Sequence, residues 1–119
     1  MLELRDISKT YGLNDDRKST IVALEDINLA IGEGELVSII GPTGCGKSTL
    51  FETIGGLVDP TSGSVLIDDD QIDGPDPRVG MVFQDHSTFP WLSVLENIEF
   101  GLRMEGVPKD ERRERAKEM

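Results

Sequence analysis

The sequence predicts an α/β fold organised round one strand–loop–helix unit. Three observations carry the prediction. Gly41, Pro42, Thr43, Gly44, Cys45, Gly46, Lys47, Ser48 and Thr49 fit the phosphate-loop pattern G-x-x-x-x-G-K-[ST] at every required position. An apolar run at 36–40 (Leu-Val-Ser-Ile-Ile) leads into the loop and reads as a strand buried on both faces. A helix-compatible segment, 48–57, follows it.

The chemistry of such a loop follows from its residue types. A polyphosphate must be held without its full water shell. Successive inward-pointing amides form an anion nest, and Gly41, Gly44 and Gly46 permit the backbone conformations and the close approach this requires. The helix that opens near Lys47 adds unpaired N–H groups and the positive end of its dipole. Lys47 supplies a full charge for the β- and γ-phosphates, the Ser48 hydroxyl suits a Mg²⁺ ligand, and Thr49 reaches toward the α-phosphate. Cys45 lies close to that helix N-terminus, where a thiol can become acidic. A plain filler of the loop is the simpler reading of it.

Composition narrows the class. The 119 residues suit one modest domain, and 37% hydrophobic content supports a core of limited size. No run approaches the ~20 apolar residues of a membrane span. The opening residues carry no basic segment before an apolar run, so no secretory signal is expected. A single cysteine excludes an internal disulfide and suits a reducing compartment. The net charge is −11, and the excess lies before residue 94, with 16 acids against 6 bases. Such an acidic body argues against nucleic acid or anionic lipid as a general partner. Seven of the 12 bases are arginine, and an Asp-rich, Lys-poor surface suits concentrated salt.

In chain order, residues 2–10 read as a strand and 13–19 as a polar hairpin loop. A second strand runs from Val22 to Ile31, with an irregularity at Glu25-Asp26. Gly32-Glu33-Gly34 is a tight turn. In the helix after the loop, Leu50, Phe51 and Ile54 are available for packing, and Asp59-Pro60 stops the chain from continuing as helix. Val65 and Ile67 alternate in a short strand. The Asp68-Asp69-Asp70 cluster reads as a solvated loop, because no calcium-loop spacing follows. Gly74-Pro75-Asp76-Pro77 is a rigid turn, and 79–83 is a second buried strand, ending on Gln84. Ser93 and Glu96 form a capping box. It opens a helix with Leu95, Ile98 and Leu102 on one face, which Gly106 ends. Pro108 starts a final helix, nearly all charged, with an Arg115–Glu111 pair and almost no apolar face to rest on a neighbour.

Taken together, the phosphate loop, Tyr11 before it and Val82-Phe83-Gln84 after it resemble the ATP-binding subunits of ABC transporters. The stretch 74–98 is most similar to the nitrate, sulfonate and taurine importer branch. The resemblance covers the whole chain. It implies a P-loop NTPase of ABC type, cut short, in which 1–34 form an antiparallel β part. Residues 35–84 would form the phosphate-loop core with a β insertion, and 85–119 the glutamine loop and the start of a helical subdomain.

Several roles follow from the resemblance. Tyr11 matches the aromatic that stacks on adenine. Gln84 matches the glutamine that reaches Mg²⁺ and the attacking water, so Lys47 and Gln84 are the catalytic candidates, with Ser48 and Gln84 on the metal. ATP and Mg²⁺ are the implied cofactors. Phe89, Pro90, Trp91 and Leu92 match the groove that receives a short helix of the transmembrane permease subunit. The competing reading is that both aromatics anchor the next helix from inside. A second copy of the subunit would sandwich ATP, an external solute-binding protein would act indirectly, and the site of action would be the cytoplasmic face of the membrane. His86 is not at the family's switch-histidine position and reads as a loop residue.

The family's Leu-Ser-Gly-Gly-Gln signature, second magnesium-holding aspartate, catalytic glutamate and switch histidine find no match in these 119 residues. A nucleotide-binding fragment without turnover is therefore the alternative function. A soluble, non-transport ABC ATPase is a remoter one, with nothing in the charge to favour nucleic acid. The open core this implies is expected to leave apolar surface or strand edges uncovered.

Overall fold

In the computed structural model, residues 1–12, 20–84 and 88–118 are described. The hairpin loop expected at 13–19, His86 and the end of the last helix at 119 lie outside them. The chain divides into two compact units, Met1–Met81 and Val82–Met119.

The first unit is built on a four-stranded antiparallel sheet. Its strands are β1 (Leu2–Gly12), β2 (Thr20–Ile31), β3 (Ser62–Ile67) and β4 (Asp70–Gln71), in the spatial order β2-β1-β3-β4. The irregularity expected at Glu25-Asp26 is present. Ile7 pairs with Ile27 and Lys9 with Leu24, so two residues of β2 oppose one of β1. Asp26 sits there at φ 47°, and Asp6 on β1 at φ 50°. Aspartate tolerates this left-handed region because its short side chain bonds locally. Here the Asp6 amide donates to Asn28 Oδ1 (3.0 Å) and Asn28 Nδ2 donates back to Asp6 Oδ1 (3.0 Å). The Asp26 amide donates to Ser8 Oγ (3.0 Å). The bulged strands bend, and Leu4, Ile7 and Leu24 turn onto one face.

The helix α1 (Lys47–Ile54) packs on that face. Leu4, Ile7, Leu24, Leu50 and Val65 form the buried cluster, flanked by Ile54 and Ile27. Full burial of a side chain such as Leu4 or Ile7 is worth ~1.5–3 kcal/mol. Phe51, expected to join the packing, is exposed. At 100° per residue it points away from the Leu50 and Ile54 stripe. The Asp68-Asp69 pair forms the two-residue tip of the β3–β4 hairpin. Both residues have positive φ (51° and 68°), the requirement of a type I′ turn.

The two runs expected as buried parallel strands differ from expectation. Neither 36–40 nor 79–83 pairs into a sheet, and Leu36 and Ile40 are 94% and 93% exposed. A parallel strand is held by hydrogen-bonded neighbours and by helices on both faces. Among the described residues neither run has them, so the apolar surface expected to lie open does so.

The second unit contains α2 (Val94–Ile98), α3 (Phe100–Met104) and α4 (Lys109–Glu118). The capping box that opens α2 is complete. Glu96 N–H donates to Ser93 Oγ (3.3 Å), and Ser93 N–H donates to Glu96 Oε2 (2.8 Å). The Ser93 hydroxyl and amide together hold the Glu96 carboxyl below the usual glutamate range. The helix expected from Leu95 to Leu102 is divided at Glu99, which caps α2 and opens α3. The charged α4 packs within its own unit. Arg112 Nε stands 3.4 Å from Glu99 Oε2, whose residue is only 4% exposed, and Ala116 is buried. An ion pair, with one alanine, replaces the apolar face that the sequence lacked. No helix among the described residues is long and apolar enough to cross a membrane.

Candidate functional site

The loop at 41–46 hangs between residue 40 and α1, and β2 positions it. Gly46 caps α1 in the left-handed region, φ 95°. A Cβ there would stand 2.4 Å from the Ala23 carbonyl oxygen and 3.2 Å from Leu24 Cδ2. The absence of a side chain at Gly46 therefore lets the loop seat on the strand. The Leu50 amide bonds the Gly46 carbonyl (2.9 Å), which starts the helical ladder. No side chain caps α1. The amides of its first turn are thus unspent on protein side chains and suit an anion.

Lys47 Nζ curls back over the loop. It donates to the carbonyls of Gly41 (2.8 Å) and Pro42 (2.7 Å) and lies 3.5 Å from Cys45 Sγ. These contacts hold the ammonium above the loop's own backbone, and phosphate oxygens, being anionic, are stronger acceptors than neutral carbonyls. Cys45 is exposed.

A cleft of about 300 Å³ joins the sequence-predicted residues. Gly44, Gly46, Lys47, Ser48 and Thr49 line it from the loop and α1, and Tyr11, Ile21, Val22 and Ala23 line it from the sheet. Tyr11 closes one end, at least 30 residues away in sequence from the loop but brought beside it by the β1–β2 pairing with Ile21. One wall is thus aromatic and aliphatic. The opposite wall is glycine backbone, a cation and two hydroxyls. That arrangement suits a flat base joined to a polyanion. Gly41 and Pro42 contribute through their carbonyls to Lys47, and Thr43 sits in the turn between them and Gly44. Gln84 is exposed in the second unit, next to 85–87, which lie outside the described residues.

Residues 24–119 match the family described as ABC transporter. The chain belongs to the ABC transporter ATP-binding family. It is 43% identical over 116 residues to an ABC transporter ATP-binding protein of Methanocaldococcus jannaschii, MJ0412, covering 98% of this chain and 42% of that protein. It is 46% identical over 103 residues to the taurine import ATP-binding protein TauB of Burkholderia pseudomallei, covering 87% of this chain and 40% of TauB. It is 42% identical over 111 residues to the nitrate import ATP-binding protein NrtD of Synechocystis, covering 93% and 41%. The chain therefore spans about two fifths of the length of these curated relatives. Among solved structures it is similar to the ATP-binding cassette MJ0796, a dimer in a post-hydrolysis state bound to ADP and Pi. The TM-score is 0.84 at 39% identity, over 99% of this chain and 55% of that one. The α/β P-loop fold of ABC type stands on this match, as does membership of a nucleotide-binding ATPase family.

Four residues of this ABC chain escaped the sequence reading. Lys9 places Nζ 5.1 Å from the centre of the Tyr11 ring. Its i, i+2 spacing to Tyr11 on a strand was the available signal. Asn97 fastens the turn at 89–93. Its Nδ2 donates to the carbonyls of Phe89 (3.1 Å), Leu92 (3.1 Å) and Ser93 (3.0 Å), and its Oδ1 accepts from the Phe89 amide (2.8 Å). Nothing in sequence separates it from an ordinary helix-surface asparagine. The Glu99–Arg112 pair joins residues 13 apart and is equally silent in sequence. The two aromatics of 89–92 divide between the two readings offered for them. Phe89 packs on Phe100 with ring centres 4.4 Å apart, whereas Trp91 is 76% exposed.

Proposed function

We propose that the chain is part of the subunit that binds and hydrolyses ATP to power an ABC importer of a small solute such as taurine, nitrate or a sulfonate. The observation that carries the nucleotide half of this reading is the cleft in which Tyr11 faces the loop and Lys47. The names of the taurine and nitrate import relatives support the importer half.

In this reading the Tyr11 ring stacks on the base, and the amides of 44–49 bind the polyphosphate. Lys47 moves its ammonium from the Gly41 and Pro42 carbonyls to the β- and γ-phosphate oxygens. Ser48 and Gln84 are the residues that would hold Mg²⁺, a hard cation suited to oxygen ligands, which neutralises charge on the transferred phosphoryl group. Gln84, with an amide that both donates and accepts, would also orient the attacking water. Turnover further needs a base and an opposing donor set, and no match to either occurs in 1–119. The second reading is thus binding without catalysis for these residues taken alone. The permease would dock on the turn at 89–92, where Phe89, Pro90, Leu92, Val94 and Ile98 line a groove of about 320 Å³ beside the exposed Trp91. In this reading the subunit, paired with a second copy, works on the cytoplasmic face of the membrane.

Calorimetry with MgATP on the full-length chain tests the site. Lys47→Ala removes a charge-assisted contact of ~1.5–3 kcal/mol, so affinity is expected to fall roughly ten- to hundred-fold. Equal affinity of variant and wild type would refute the reading. Uptake of taurine or nitrate by vesicles carrying the permease tests the importer half. A Trp91→Ala chain is expected to bind ATP normally and fail to support uptake.

A further inference from the structure

We infer that Lys9 is a positioning residue that holds the Tyr11 ring in place to receive the nucleobase. The inference rests on the proposed role of Tyr11 and goes beyond it.

Lys9 and Tyr11 lie two apart on β1, so their side chains emerge on the same side of the strand. The Lys9 ammonium stands 5.1 Å from the ring centre, within the range of a cation–π contact. It is also anchored, because Nζ donates to the Asp59 carbonyl at 2.6 Å. A lysine free to swing would restrain nothing, but this one is pinned at its tip. Its anchor is itself fixed to β1. The Thr61 amide donates to the Ser8 carbonyl (2.8 Å), and the Thr10 amide donates to Thr61 Oγ1 (3.0 Å). The segment that carries Asp59 leaves the C-terminus of α1, the same helix whose N-terminus carries Lys47, Ser48 and Thr49. Lys9 therefore ties the position of the ring to the element that sets the phosphate loop. Lys9 is not among the residues that line the cleft, whereas Tyr11 is. The cation holds the ring from outside and leaves the cleft-facing side of the tyrosine for a base.

This arrangement predicts a selective effect. Lys9 contacts the base-binding ring and no part of the phosphate loop. Its loss therefore weakens ligands that carry a base and spares those that do not. The test is calorimetry on the full-length chain with two probes, MgATP and magnesium tripolyphosphate, which lacks base and ribose. Lys9→Met keeps the aliphatic stem and removes the charge. It is expected to weaken MgATP roughly two- to five-fold, the worth of an exposed cation–π contact, and to leave tripolyphosphate unchanged. Lys9→Arg is expected to restore MgATP binding, because a guanidinium also stacks on an aromatic face and donates to a carbonyl. Tyr11→Ala is expected to show the same probe selectivity, and adding Lys9→Met to it should cost nothing more.

A Lys9→Met chain that binds MgATP like wild type, or that loses both probes equally, overturns the inference. If Tyr11→Ala nonetheless weakens MgATP alone, the assignment of Tyr11 survives. If Tyr11→Ala leaves MgATP unaffected, that assignment fails and the inference about Lys9 falls with it.

Discussion

Replacing Gly46 with alanine is expected to unseat the phosphate loop from β2. The residue sits at φ 95°, where an L-amino acid costs ~1–2 kcal/mol. Its Cβ would meet the Ala23 carbonyl oxygen at 2.4 Å. That oxygen belongs to the backbone of a paired strand, so no rotamer change relieves the contact and the loop or the strand must shift. Overpacking of this kind costs ~1–3 kcal/mol, which gives a total of ~2–5 kcal/mol. At roughly 2–4 °C per kcal/mol for chains of 150–250 residues, Tm should fall by ~4–20 °C. Gly44 isolates the dihedral part. It lies at φ 82° with nothing within 4 Å of its Cβ position, so Gly44→Ala should lower Tm by only ~2–8 °C. Gly101 reverses the sign. It is helical, with open space at its Cβ position, and Gly101→Ala should raise Tm by ~2–4 °C. Differential scanning calorimetry of the full-length chain reads the order Gly46→Ala, Gly44→Ala, wild type, Gly101→Ala from lowest to highest. A Gly46→Ala chain that melts no lower than Gly44→Ala would refute the close-contact argument.

Other perturbations have equally definite outcomes. Asn97→Leu strips the turn at 89–93 of four hydrogen bonds, so Trp91 fluorescence and proteolysis of that turn should both change while MgATP affinity stays constant. An unchanged cleavage pattern would dismiss Asn97 as its fastener. Ser93→Ala removes the cap of α2 and should destabilise the chain by ~0.5–2 kcal/mol in urea unfolding. The Asp76 carboxyl, which accepts from the Arg78 side chain and amide, is held at about 2, below the usual carboxylate value. A depressed pKa contributes stability that is present above the unfolded value of ~3.9 and is lost as pH falls toward 2. NMR titration of Arg78→Gln should return Asp76 toward the ordinary range and flatten that acid loss. An unmoved Asp76 titration would rule out the arginine as the cause.

What sequence alone determined here is local. The phosphate loop, its helix, the bulge at Glu25-Asp26 and the Ser93–Glu96 box each arise from residues a few positions apart. Glycine freedom, β-branching and capping hydroxyls act at that range and leave a readable trace. The hidden features all depend on pairing across distance. The register of β1 against β2 set Tyr11 beside residues 44–49 in one cleft, and the loop after α1 brought the Asp59 carbonyl to Lys9. Arg112 reached Glu99 only because α4 folds back on α2. The runs at 36–40 and 79–83 show the converse. Their apolar composition states what kind of neighbours they want, but a strand exists only when a second backbone supplies the other half of its hydrogen bonds. Composition sets that demand, and only the assembled chain decides whether it is met.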